Sequence, residues 1–189
     1  MILISGNSGS GKTSVAVQLE KMGYKLIPTY TTRKYRSDEE LGSIRISETE
    51  FEYKLSHNGF ISYHIYNTNM GNVAYGIPLK ECEENGNKSV IILAREYYED
   101  VYHYIKNYSS DKMFMVYLDV DDASIIEKSF DDKNRGLSNV DLIDRLDRDR
   151  DKAAFLRHIA TLIIDNNEFR LNSKEVADII DHKYKEFIK

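Results

Sequence analysis

The stretch ILISGNSGSGKTS, residues 2–14, constrains this chain more than any other. Three apolar residues, Ile2, Leu3 and Ile4, run directly into a glycine- and serine-rich loop that ends in Lys12 and Thr13. Gly6 followed by Gly11-Lys12-Thr13 satisfies G-x-x-x-x-G-K-[ST]. Such a loop turns successive backbone N–H groups inward around an anion, and glycines permit that turn. A helix following the loop adds its positive end. After the loop, Val15, Leu19 and Met22 share one helical side and Gly23 stops it. Strand, loop and helix together predict a phosphate-binding loop. Gly6, Asn7, Ser8, Gly9, Ser10, Gly11, Lys12, Thr13 and Ser14 would line it. Lys12 would reach the β- and γ-phosphates, and the Thr13 hydroxyl would ligate Mg²⁺.

The rest of the chain supports an α/β fold. Residues 89–94 (SVIILA) and 113–120 (MFMVYLDV) are continuous apolar runs, as expected of strands buried on both faces. Further strands are expected at 25–32, 60–66 and 160–164. Residues 67–76, rich in Asn and Gly, read as a loop. Helices are expected after the capping-box spacing Ser47–Glu50, over 78–85 and 96–108, from Asp122 to Phe130, and over 173–189. In the last, Val176, Ile179, Ile180, Tyr184 and Phe187 should face inward. Alternating strands and helices predict a parallel sheet covered on both faces by right-handed crossovers. The expected architecture is thus a three-layer P-loop fold.

Composition narrows the partners. The chain has 189 residues with 26 basic and 31 acidic side chains, a net charge of −5 that argues against a broad nucleic-acid surface. Its single cysteine, Cys82, excludes an internal disulfide and favours a reducing compartment. Without a membrane-spanning or signal-like run, the expectation is a cytoplasmic protein. The five histidines show no metal-ligand spacing, and the 14 tyrosines read mainly as packing residues. Oligomeric state is not legible.

Tyr30-Thr31-Thr32-Arg33-Lys34-Tyr35-Arg36 sets two arginines three residues apart near a strand end. An arginine fork suits the oxygens of a phosphate monoester, and the pair stands apart from the loop at residues 6–13. A solvated basic turn is the plainer alternative. TTR-x-x-R, a nearby Glu39 and Gly42, S-x-x-E-F at 47–51 and Y-G at 75–76 resemble the guanylate kinase family over most of the chain.

Guanylate kinases move the γ-phosphoryl of ATP onto GMP. The resemblance implies a core of residues 1–32 and 77–189, an acceptor-binding insertion at about 33–76 and a lid at about 127–150. It implies that Arg33, Arg36 and Tyr75 hold the acceptor phosphate and that Thr29 lies near its base. Arg135 and Arg145 would close over the transferring group, whereas Arg148 and Arg150 read as a salt-bridge-laced helix face. Asn166, in Asp165-Asn166-Asn167, would lie beside the adenine.

The departures concern the base. Ser62 replaces the glutamate that reads guanine, Ile77 replaces the hydroxyl residue after Y-G, and Ala94-Arg95 replaces a strand-end aspartate. A tyrosine expected after Gly42 is missing, and 67–72 looks inserted. Mg²⁺ coordination then rests on Thr13, with Asp119 or Asp121 as candidate helpers. The leading expectation is a nucleoside monophosphate kinase for GMP or dGMP. A kinase for another small molecule such as a ribose phosphate, and a binding module without catalysis, are the alternatives.

Overall fold

The buried residues Ile2, Leu3 and Ile4 form β1 (Ile2–Gly6), the middle strand of a five-stranded sheet. The computed structural model describes residues 1–34, 41–68, 71–131 and 139–189, with backbone only at 68, 129–131, 139–142, 144, 145, 148 and 149. The other strands are β2 (Lys25–Leu26), β7 (Ser89–Ile92), β8 (Phe114–Asp119) and β9 (Leu162–Asp165), in the order β2-β7-β1-β8-β9. Every pairing is parallel.

Strand alternation sorts the core into two faces. Ile2 and Ile4 pack with Val15 and Leu19 of α1 (Lys12–Lys21) and Val176, Ile180 and Tyr184 of α7 (Ser173–Ile188). Met1 and Leu3 pack on the opposite face with Cys82 of α3 (Leu79–Asn85), Val101 and Ile105 of α4 (Tyr98–Tyr108) and Leu156 of α6 (Asn139–His158). The expected parallel sheet with helices on both faces is therefore present. At α7 the expectation is too wide: Ile179 and Phe187 lie 37% and 38% exposed at the edge of the apolar stripe. Asn172 caps this helix with a reciprocal Glu175 bond.

A second sheet, unforeseen in the sequence, has the order β4-β3-β6-β5. It contains β3 (Thr29–Thr31), β4 (Ser43–Arg45), β5 (Phe60–Thr68) and β6 (Gly71–Pro78). Two expectations are corrected here. Residues 25–32 are two strands in different sheets. Ile27 N–H donates to Val90 O at 2.9 Å in the first sheet, and Thr29 N–H donates to Gly42 O at 3.0 Å beside the second. Pro28 stands between them without an N–H to continue either ladder. Residues 67–76 are largely strand rather than loop, because β6 pairs antiparallel with both β5 and β3. Phe51 of α2 (Glu48–Ser56) fills the second sheet's own small core with Ile46, Ala74, Tyr30 and Phe60.

The helix expected from Asp122 is α5 (Asp122–Asp131), and the residue before it supplies the cap. Asp121, not Asp122, accepts from the Ser124 N–H at 2.8 Å.

Candidate active site

β1 delivers the chain into the glycine loop, and α1 begins at Lys12. Gly6, Gly9 and Gly11 have φ of 147°, 95° and 90°, a region that L side chains rarely adopt. At Gly6 a Cβ would lie 2.6 Å from the Leu118 carbonyl oxygen and 2.8 Å from Ser10 Oγ, so the loop tolerates only glycine there. Ser10 N–H donates to Asn7 O at 3.1 Å and closes the turn. The Lys12 ammonium donates to Gly6 O at 2.9 Å and Asn7 O at 2.7 Å, drawn across the loop. Asn7 is itself held, donating to Asp122 Oδ1 at 3.1 Å and accepting from the Tyr117 hydroxyl at 3.4 Å.

This cradle fits a polyphosphate. The first turn of α1 has no acidic residue, and its N-terminal N–H groups have no partners within the helix. The Ser10 hydroxyl is buried without a hydrogen-bond partner among the described residues. Thr13 and Ser14 stand in the first turn, where a hydroxyl can share a cation with phosphate oxygens.

The loop opens into a cavity of about 830 Å³, within the range of small-molecule sites. Gly6, Asn7, Ser8 and Lys12 line one side, and Thr29, Arg33 and Tyr75 of the second sheet's region line another. Arg33 is positioned by its neighbours. Thr31 Oγ1 accepts from the Arg33 N–H at 3.1 Å and donates to Ala74 O at 2.9 Å, while Thr32 Oγ1 accepts from the Ala74 N–H at 2.9 Å. Tyr75 meets Tyr66 edge-on, with ring centres 5.6 Å apart.

No family model and no curated protein matches this sequence. Among solved structures, the fold is similar to guanylate kinase from Anaplasma phagocytophilum, with a TM-score of 0.60 and 18% identity over 99% of this chain and 85% of that one. The chain has the fold of a P-loop kinase. Weaker likenesses are to shikimate kinase from Bacteroides thetaiotaomicron (TM-score 0.46, 14% identity, 98% of this chain and 97% of that one) and to shikimate kinase from Acinetobacter baumannii in complex with shikimate (0.45, 15%, 98% and 93%).

Within this fold the other expected residues divide. Arg36 and Arg135 lie outside the described residues, and Arg145 is described only as backbone of α6. The side-chain amide of Asn166 is engaged by Leu171, donating to its carbonyl at 3.0 Å and accepting from its N–H at 2.8 Å. Asp119 holds Arg157 at 2.8 Å, and Asp121 caps α5, so both candidate metal helpers have structural partners. Arg150 pairs with Asp147 at 2.8 Å, as a salt-bridged helix face requires.

The departures have structural consequences. Ser62 is buried and donates to Asp100 Oδ2 at 2.6 Å, Ile77 is in the core, and Ala94 brings no polar side chain to the cavity wall. The same cavity is lined by Asn67 and Arg95 and by residues that no motif singled out: Tyr66, Glu96, Tyr97 and Lys152. Lys152 Nζ donates to Glu96 Oε1 at 2.5 Å. Their separation of 56 positions gave sequence reasoning no local signal.

Among the described residues, no three His, Cys, Asp or Glu side chains cluster as a metal site. Burial pushes the Cys82 thiol up to about 12. No helix among the described residues is long and apolar enough to cross a membrane.

Proposed function

We propose that this chain transfers the γ-phosphoryl group of ATP to a small phosphorylated acceptor, with a guanine nucleoside monophosphate as the leading substrate. One observation carries the reading: the loop bearing Lys12 and the segment bearing Arg33 and Tyr75 line one cavity. Donor and acceptor phosphates bound at these two ends would meet inside it.

Lys12 neutralises charge at the β,γ region, and residues 6–14 cradle the phosphates. Mg²⁺, held by Thr13 and phosphate oxygens, supplies further charge neutralisation when bound. Arg33, Arg36 and Tyr75 hold the acceptor phosphate so that one of its oxygens attacks the γ-phosphorus in line. The bond from that phosphorus to the β,γ-bridging oxygen breaks, and ADP leaves with the electron pair. Thr29 borders the acceptor, and Asn166 shapes the loop beside the adenine. Arg135 and Arg145, in the lid at about 127–150, close over the reacting group and exclude water.

The burial of Ser62 against Asp100 favours keeping a ribose-phosphate acceptor as a second reading, since a sugar phosphate needs no base pocket. The test is ADP release from Mg·ATP with a panel of nucleoside monophosphates, deoxynucleotides and ribose phosphates. Strong stimulation by GMP or dGMP is expected. Stimulation by a ribose phosphate alone would transfer the assignment to the second reading. ATP binding without stimulation by any acceptor would leave a non-catalytic binding module.

A further inference from the structure

The Glu96–Lys152 pair raises a question of cost. Glu96 lies in the 3₁₀ turn Arg95–Tyr97 after β7, and its side chain is 18% exposed; Lys152 comes from α6 and is 45% exposed. Holding two long side chains in one geometry costs entropy that a partly exposed ion pair scarcely repays in stability. The pair stands on a cavity that also holds Lys12, Arg33 and Tyr75. Around it, Tyr66, Tyr97 and Asn67 line the same cavity. Burial alone would raise the Glu96 carboxyl, but the Lys152 hydrogen bond and charge, with a backbone hydrogen bond, outweigh it and hold Glu96 below its ordinary value. The wall therefore presents a carboxylate beside an ammonium, with two phenols and an amide near by.

The positions expected to read a base have lost that ability. Ser62 is turned to Asp100, and Ala94 has no polar side chain. A base carried into the cavity behind a phosphate on Arg33 and Tyr75 finds its charged complement at Glu96 and Lys152 instead. A carboxylate has about four lone-pair sites, so the bond from Lys152 leaves room for two more donors. Guanine's pairing edge offers two adjacent donors, N1–H and N2–H, beside one acceptor, O6. Adenine offers a single donor, and hypoxanthine lacks the 2-amino group.

Resting on the phosphotransferase reading, we infer that Glu96 and Lys152 are the specificity determinants for the acceptor base, with Glu96 accepting from guanine N1–H and N2–H and Lys152 donating to O6. Base recognition has thereby moved from β5 to the junction of β7 with α6.

The test is calorimetric binding of GMP, IMP, AMP and ribose 5-phosphate, without ATP, to wild type, Glu96→Gln and Lys152→Met. Wild type should prefer GMP to both IMP and AMP. Glu96→Gln should weaken GMP by about ten- to a hundredfold, as expected for lost hydrogen bonds to a charged group. It should weaken IMP less and leave ribose 5-phosphate, which reports the folded phosphate site, unchanged. Lys152→Met should narrow the GMP-to-AMP ratio. Wild type that binds GMP no more tightly than Glu96→Gln, or that prefers AMP, would overturn this assignment while leaving the phosphotransferase reading in place. Wild type that binds none of these phosphates would overturn both.

Discussion

Lys12 and Arg33 face one cavity from two different sheets: the first follows β1 of the parallel sheet, and the second follows β3 of the mixed one. Replacing Lys12 by Ala should lower kcat by about a hundredfold or more. Replacing Arg33 by Ala should raise the acceptor KM by about tenfold or more and leave the ATP KM nearly unchanged. Steady-state ADP release separates the two effects. Near-normal turnover in Lys12→Ala would remove the glycine loop from the chemistry.

Gly6 has no room for a methyl group. With φ at 147° and Leu118 O only 2.6 Å from the position of a Cβ, Gly6→Ala should destabilise the fold by about 2 kcal/mol or more. ATP affinity should fall with it. Urea unfolding and nucleotide titration measure both, and a neutral result would contradict the packing of the loop on β8.

Asp121 and Asp122 are neighbours with different work. Asp121 caps α5 through Ser124, so Asp121→Ala should cost about 1 kcal/mol. Asp122 holds Asn7 in the glycine loop. Its replacement by Ala should spare stability to within about 0.5 kcal/mol and weaken ATP binding by about two- to tenfold. Identical behaviour of the two variants would refute this division.

Glu96 should make stability depend on pH. Its carboxyl is held below its ordinary value in the folded protein, so its stabilisation is complete above the unfolded pKa and disappears as pH falls through the lower folded value. The stability difference between wild type and Glu96→Gln should therefore shrink in acid, as read from urea midpoints between about pH 3 and 7. A difference that stays constant would mean that Lys152 does not hold the carboxylate ionised.

Cys82 should be chemically silent. Its thiol is buried in α3 and pushed up to about 12, so almost no thiolate exists near pH 8. Disulfide-exchange reagents should label it only when urea unfolds the protein; rapid labelling of the native chain would show that α3 opens readily.

The sequence alone determined what depends on near neighbours. The strand–loop–helix at residues 2–21, the buried runs of β7 and β8 and the amphipathic α7 were legible because alternation, glycines and helical spacing act within a few positions. The Thr31-Thr32-Arg33 segment was recognisable as a possible anion site for the same reason. Only the tertiary structure decided where Arg33 lies, since that depends on Thr31 donating to Ala74 O and Thr32 accepting from Ala74 N–H of β6. It also decided that residues 71–78 form a strand, because their partners β3 and β5 are supplied from elsewhere in the chain. Glu96 and Lys152 carry the point furthest. Neither is unusual for its local sequence, and they become a charged wall of the cavity only when α6 packs beside the turn after β7. Local propensity is written over a few residues, whereas the shape and charge of a cavity are set by whichever distant segments the core brings together.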